Sequence, residues 1–124
     1  MASTSGFRVR RVYDPPEAGD GVRVLVDRLW PRGVSKEAAA VDEWPKEVTP
    51  SGELRKWLHA NPERYDEFTR RYHAELASPE LRDELARLAG LAAKKRVTLL
   101  TAVKEPAHSH VPVLLGTLEK TTPR

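Results

Sequence analysis

The chain has 124 residues, 40% of them hydrophobic, no cysteine, and 21 Lys and Arg against 18 Asp and Glu. A chain this long buries roughly two-thirds of its unfolded surface in one domain, and without thiols it has no disulfides, thiolate metal sites or cysteine nucleophiles. The +3 net charge is small and dispersed, so nucleic-acid binding is not favoured, and with neither a membrane-length apolar run nor a secretory leader the expectation is a soluble cytoplasmic protein.

Met1 to Gly6 reads as a frayed end. Phe7 to Tyr13 alternates apolar and basic residues, the period of a strand with one face in a core. Asp14-Pro15-Pro16 stops it, and Glu17 to Gly21 reads as a loop with Gly19 and Gly21 as turn residues. Val22 to Asp27 is almost continuously apolar, as in a central strand covered on both faces. Pro31 closes the run that follows, Arg28-Leu29-Trp30-Pro31-Arg32-Gly33.

Ser35 is placed to cap a short helix through Ala40. Pro45 restricts the stretch from Trp44 to Val48 to an edge or an irregular extended segment. Thr49-Pro50, Asn61-Pro62 and Ser78-Pro79 then repeat one start signal, proline at a first helical position where its missing N–H does no harm. The second of these helices carries Tyr65, Phe68, Tyr72 and Leu76 on one face, and the third carries Leu81, Leu85, Leu88 and Ala92. Val97 to Val103 is another buried-type strand, ended by Lys104-Glu105-Pro106. Pro112 is tolerated only in a first turn, which makes Ser109 the natural cap of the last helix; residues 120–124 read as a tail. Strand, strand, helices, strand, helix predicts a small single-domain α/β fold: a parallel or mixed sheet of three or four strands with helices packed on it.

Ligands of open parallel sheets gather beyond the carboxyl ends of the strands. Two strand ends here are charged, Asp27 to Arg32 and Lys104 to His110. Side by side they would offer Arg28, Arg32 and Lys104 to an anion, with Ser109 and His108 at a helix start whose N–H groups add positive potential. Asp27 and His110 are the proton-transfer candidates. Each has a plainer reading: an Asp27–Arg28 ion pair, histidines bonded to nearby carbonyls, and tryptophans Trp30, Trp44 and Trp57 that pack or anchor. His108 and His110 with Asp27 or Glu105 show no spacing for a third metal ligand, and no metal or cofactor is expected. No nucleophile elbow surrounds Ser109, and no dinucleotide or phosphate-loop motif is present.

The runs Arg11-Val12-Tyr13-Asp14, Arg23 through Gly33, Asp42-Glu43-Trp44 and Lys46 through Ser51 closely resemble the YeaO-like branch of domain-of-unknown-function family 488. The likeness continues through Leu54-Arg55, Tyr72 to Leu76, Thr98 to Leu100 and Lys104, covering about residues 8–118. It implies a small bacterial α/β domain in which the arginine-rich strand end matters, with no reaction attached. A wider family pattern places Lys-Asp-Pro and then Cys-His after a strand; Lys104-Glu105-Pro106 and Ser109-His110 stand there, so thiol chemistry is ruled out. Thr101 stands where the YeaO-like strand often carries a tyrosine, and Thr117 where a tryptophan is often seen near the end. The function expected is binding of, or action on, a small anionic molecule, phosphorylated or nucleotide-like, at the strand carboxyl ends. The alternative is a nucleic-acid or protein-interaction module, in the first case with Arg8, Arg10 and Arg11 of the first strand and arginines of the helical middle contacting phosphates.

Overall fold

In the computed structural model, which describes residues 6–123, the alternating first segment becomes β1 (Gly6–Arg11). The two apolar segments become β2 (Val22–Leu25) and β3 (Arg96–Thr101). The sheet order is β1-β3-β2 and both pairings are parallel. The central strand is therefore β3, and the expectation that the Val22 segment lies at the centre is corrected. Its apolar run reflects cover on both faces, Val24 in the helix-facing core and Leu25 in the opposite cluster, and a loop closes its outer edge, with Leu25 N–H on Glu43 O at 2.9 Å and Asp42 N–H on Arg23 O at 2.8 Å. A covered edge leaves no open ladder for another chain to pair with.

Register places Phe7, Val9, Val22, Val24, Val97 and Leu99 on one face. They pack against four helices, α2 (Gly52–Ala60), α3 (Tyr65–Leu76), α4 (Arg82–Lys94) and α5 (Val111–Lys120). The heart of this core is Phe68, Tyr72, Leu88 and Leu114, all buried. The opposite face is covered by the chain between β2 and α2, which includes α1 (Lys36–Ala39). There Val12, Leu25 and Leu100 meet Ala39, Trp30 and Trp44. The two indoles pack edge to face at 5.4 Å, as the plainer reading of the tryptophans held.

The start signals operate with shifts of a residue or two. Ser35 Oγ accepts Ala38 N–H at 3.0 Å. Pro62 and Pro79 open short 3-10 turns that lead into α3 and α4. At Thr49-Pro50 the helix begins later: Ser51 is the cap, its Oγ accepting Leu54 N–H while Glu75 of α3 holds Ser51 N–H and hydroxyl at 2.8 and 2.7 Å. Tertiary pairing to Glu75 thus moves the start past the proline. Gly6 belongs to β1 and Lys120 to α5, so neither is part of a loose end; residues 1–5 and 124 of the expected ends lie outside the described residues. Among the described residues no helix is long and apolar enough to cross a membrane.

Gly21 turns the chain into β2 at φ 64°, and a Cβ there would stand 2.1 Å from the carbonyl oxygen of Arg96. Gly21→Ala combines left-handed strain with a backbone clash and is expected to cost about 2 kcal/mol. Gly19→Ala, whose Cβ would meet only the tip of Arg8 at 3.5 Å, is the control. Urea unfolding of the two variants checks this, and equal midpoints would show that the turn shifts freely.

Candidate functional site

Parallel pairing delivers the ends of β2 and β3 to one rim, with Val26 N–H on Leu100 O at 3.0 Å. Asp27 follows and is carried alongside Thr101 and Ala102. Its Oδ1 accepts the Thr101 hydroxyl at 2.7 Å, and its Oδ2 accepts Ala102 N–H at 2.7 Å. From the start of α5, His110 brings Nε2 to 3.2 Å from Asp27 Oδ1 and 2.7 Å from the carbonyl oxygen of Val26. A carbonyl only accepts, so Nε2 carries the hydrogen, and in a neutral ring Nδ1 is the acceptor. The side chains of Asp27 and His110 are only 13% and 12% exposed. Burial pushes the Asp27 carboxyl up, but bonds from His110, Ala102 N–H and the Thr101 hydroxyl outweigh it and hold the group below the usual carboxylate range. Asp27 is therefore a fixed anion at neutral pH, and its partner is His110 rather than Arg28.

The first strand joins the same rim. Arg11 donates from Nη2 to Ala102 O at 3.0 Å and from Nε to Val103 O at 3.2 Å. Ala102 is thus held through its N–H by Asp27 and through its carbonyl by Arg11. On the far side Trp44 Nε1 donates to Asp27 O at 2.7 Å. The two charged turns therefore do meet.

Arg28, Arg32 and Lys104 are exposed around this rim and make no ion pair among the described residues. Arg28 reaches only Pro50 O, at 3.4 Å. His108 is also exposed, with Nδ1 3.7 Å from Glu105 and its ring edge-on to Tyr65. Ser109 is buried: its hydroxyl donates to Pro106 O at 2.7 Å and accepts Val111 N–H at 3.1 Å, and Tyr65 donates to its carbonyl. The cap residue of α5 is His110, with no side-chain cap bond, so the expectation of Ser109 as the cap is corrected: Ser109 stands one residue earlier, and the Val111 N–H that its hydroxyl accepts is the first of the helix. That bond removes the Val111 donor, and Pro112 has none, so the helix start is a poorer amide cradle than expected. Among the described residues no three His, Asp or Glu side chains converge as a metal set.

Two surface depressions adjoin neither Arg28 nor Lys104. One of about 190 Å3 is lined by Trp30, Lys36 and Val41 to Trp44. The other, about 600 Å3, lies between α3 and α5, lined by Tyr65, Thr69, His73, Val113, Gly116 and their neighbours.

A second charged cluster escaped the sequence reading. Asp20, only 1% exposed, receives Arg10 Nη1 at 3.0 Å, Arg8 Nη1 at 3.4 Å and a short bond from Arg23 Nη1. Arg8 also pairs with Glu17 at 2.7 Å, and Arg23 donates to the carbonyls of Ala39 and Ala40 that end α1. Burial opposes ionisation of Asp20, yet the Glu17 N–H, Arg23 and Arg10 together depress its pKa. Arg8, Arg10 and Arg11, the first-strand contacts of the nucleic-acid alternative, are thus all engaged within the molecule. The available signal was the alternation of Arg8 and Arg10, two cations on one strand face that need an anion within reach. Thr101 and Arg11 also escaped; nothing local marks a threonine or an arginine as a partner of a strand end.

A family model described as "Inactive DUF488-N3 subclade" matches residues 6–124. The uncharacterized protein YeaO of Escherichia coli is 51% identical over 108 residues, covering 87% of this chain and 92% of its own. The uncharacterized protein Rv3073c of Mycobacterium tuberculosis is 46% identical over 114 residues, 92% of this chain and 94% of its own. No solved structure matches.

Proposed function

Because this chain belongs to the inactive DUF488-N3 subclade, within the family its YeaO-like motifs pointed to, we propose that the rim binds a small anionic ligand without turning it over. One observation carries the reading. Asp27, bonded to Ala102 N–H, the Thr101 hydroxyl and His110, joins the two charged turns, and around it Arg28, Arg32 and Lys104 face solvent without a carboxylate partner among the described residues. Arginine grips phosphate or carboxylate with parallel N–H bonds, and lysine adds a point charge. In this reading Asp27 and His110 are the lock that sets the spacing of the turns. The word "inactive" in the family's description agrees with the state of Ser109, whose hydroxyl donates to Pro106 O and accepts Val111 N–H, with no base bonded to it among the described residues.

Inorganic phosphate is the simplest probe. At a hundredfold excess over Kd it should stabilise the fold by about 2.7 kcal/mol. Arg28→Ala and Lys104→Ala are each expected to lose most of that gain while melting like the unsubstituted protein in phosphate-free buffer, because both side chains are exposed. Thermal melts across a phosphate titration check this. Full stabilisation in both variants would place the anion elsewhere.

A further inference from the structure

Two large apolar side chains stand out as exposed on the described surface, Tyr13 at 47% and Leu29 at 57%, and both lie at the carboxyl ends of strands beside the cations of the proposed site. Tyr13 comes two residues after β1, and its place is built rather than loose. The Arg11 guanidinium, pinned by the carbonyls of Ala102 and Val103, lies 5.0 Å from the centre of its ring. Its hydroxyl oxygen stands 3.5 Å from the carbonyl oxygen of Arg32. One side of the ring is therefore supported, while nearly half the residue faces water next to the arginine-bearing turn. A supported tyrosine with two side-chain torsions loses little entropy on binding. Its π-surface gives a flat ring a stacking platform, which a bare phosphate or carboxylate would not use.

We infer that the ligand of this rim is an anion bearing a flat heteroaromatic ring, of the nucleoside monophosphate class. The ring stacks on Tyr13, Leu29 adds apolar contact, and the phosphate is held by Arg28, Arg32 and Lys104. The inference rests on the anion-binding reading above and adds the ring.

Calorimetric titrations with inorganic phosphate, ribose 5-phosphate and adenosine monophosphate separate the two. The ring should make the nucleotide bind about tenfold more tightly than the sugar phosphate, which carries the same anion without a base. Tyr13→Ala should bring the nucleotide to the sugar-phosphate affinity and leave phosphate binding as it was, while Tyr13→Phe, which keeps the ring, should retain the difference. Tyr13→Leu, with its melting temperature measured alongside, guards against a folding defect and should behave like the alanine variant. Equal affinities for nucleotide and sugar phosphate, or a nucleotide preference that survives Tyr13→Ala, would overturn the ring assignment and leave anion binding standing. Failure of all three ligands to bind would overturn both.

Discussion

Replacing Asp20 by alanine is expected to lower stability by about 4 kcal/mol, the largest loss from any single substitution considered for this protein. Asp20 is the anion on which Arg10 and the buried Arg23 converge, with Arg8 at the margin. Its removal leaves Arg23 with only the Ala39 and Ala40 carbonyls, and leaves a desolvated guanidinium without compensating charge. It also takes the acceptor from Glu17 N–H, while the Thr98 hydroxyl keeps its bond to the backbone oxygen of residue 20 in the 3-10 turn at Ala18–Asp20. Asp20→Asn keeps the shape and loses the charge, so an intermediate loss is expected. Urea unfolding of Asp20→Ala, Arg10→Ala and the double variant gives the coupling, expected at about 1–3 kcal/mol. Strict additivity would mean that the contact between Arg10 and Asp20 contributes nothing of its own.

The Asp27→Ala substitution comes second, with an expected loss of about 3 kcal/mol, because it strands the Ala102 N–H and the Thr101 hydroxyl and frees His110 at a largely buried position. Its signature is pH. The folded state holds the Asp27 carboxyl below its ordinary value of 3.8, so between the two values the unfolded chain binds more protons than the folded one. The stabilisation is complete above the unfolded value and fades as pH falls through the folded one. The unsubstituted protein should therefore lose stability below about pH 4. Asp27→Asn should be weaker at neutral pH and lose less on acidification, the remaining slope coming from Asp20 and other depressed carboxyls such as Glu84. Denaturant midpoints at neutral pH and at pH 3 decide it. An asparagine variant with the same acid loss as the parent would show that Asp27 is not the group being titrated.

Both substitutions act on contacts that the sequence shows only in part. Asp27 was visible as a carboxylate at a strand end, and His110 as an imidazole near a helix start, because strand ends and helix starts are marked locally by apolar runs and prolines. Their meeting was an inference from parallel topology, and the pair forms. Thr101, which reads as a departure from its family's pattern, turns out to be a donor to Asp27. Pro112 made the start of α5 legible to within a residue, but the cap is His110 and not Ser109. Asp20, set between two glycines in a loop, gave no hint of burial. A loop residue becomes buried only when a distant surface folds over it, here the face of β1 and β3 that presents Arg8, Arg10 and Thr98.

By itself the sequence determined the family, the fold class, the helical middle with its proline-marked starts at Pro62 and Pro79, and the segments that would be strands. These depend on interactions within a turn or two of helix or along one strand, and such short-range patterns are written in neighbouring residues. Only the tertiary structure decided that β3 lies between β1 and β2, that Glu75 moves the start of α2, and that Asp27 bonds Ala102 from 75 positions away. Strand order and hydrogen-bond partners of that range follow from which buried surfaces fit together once the chain has collapsed. No local preference encodes them.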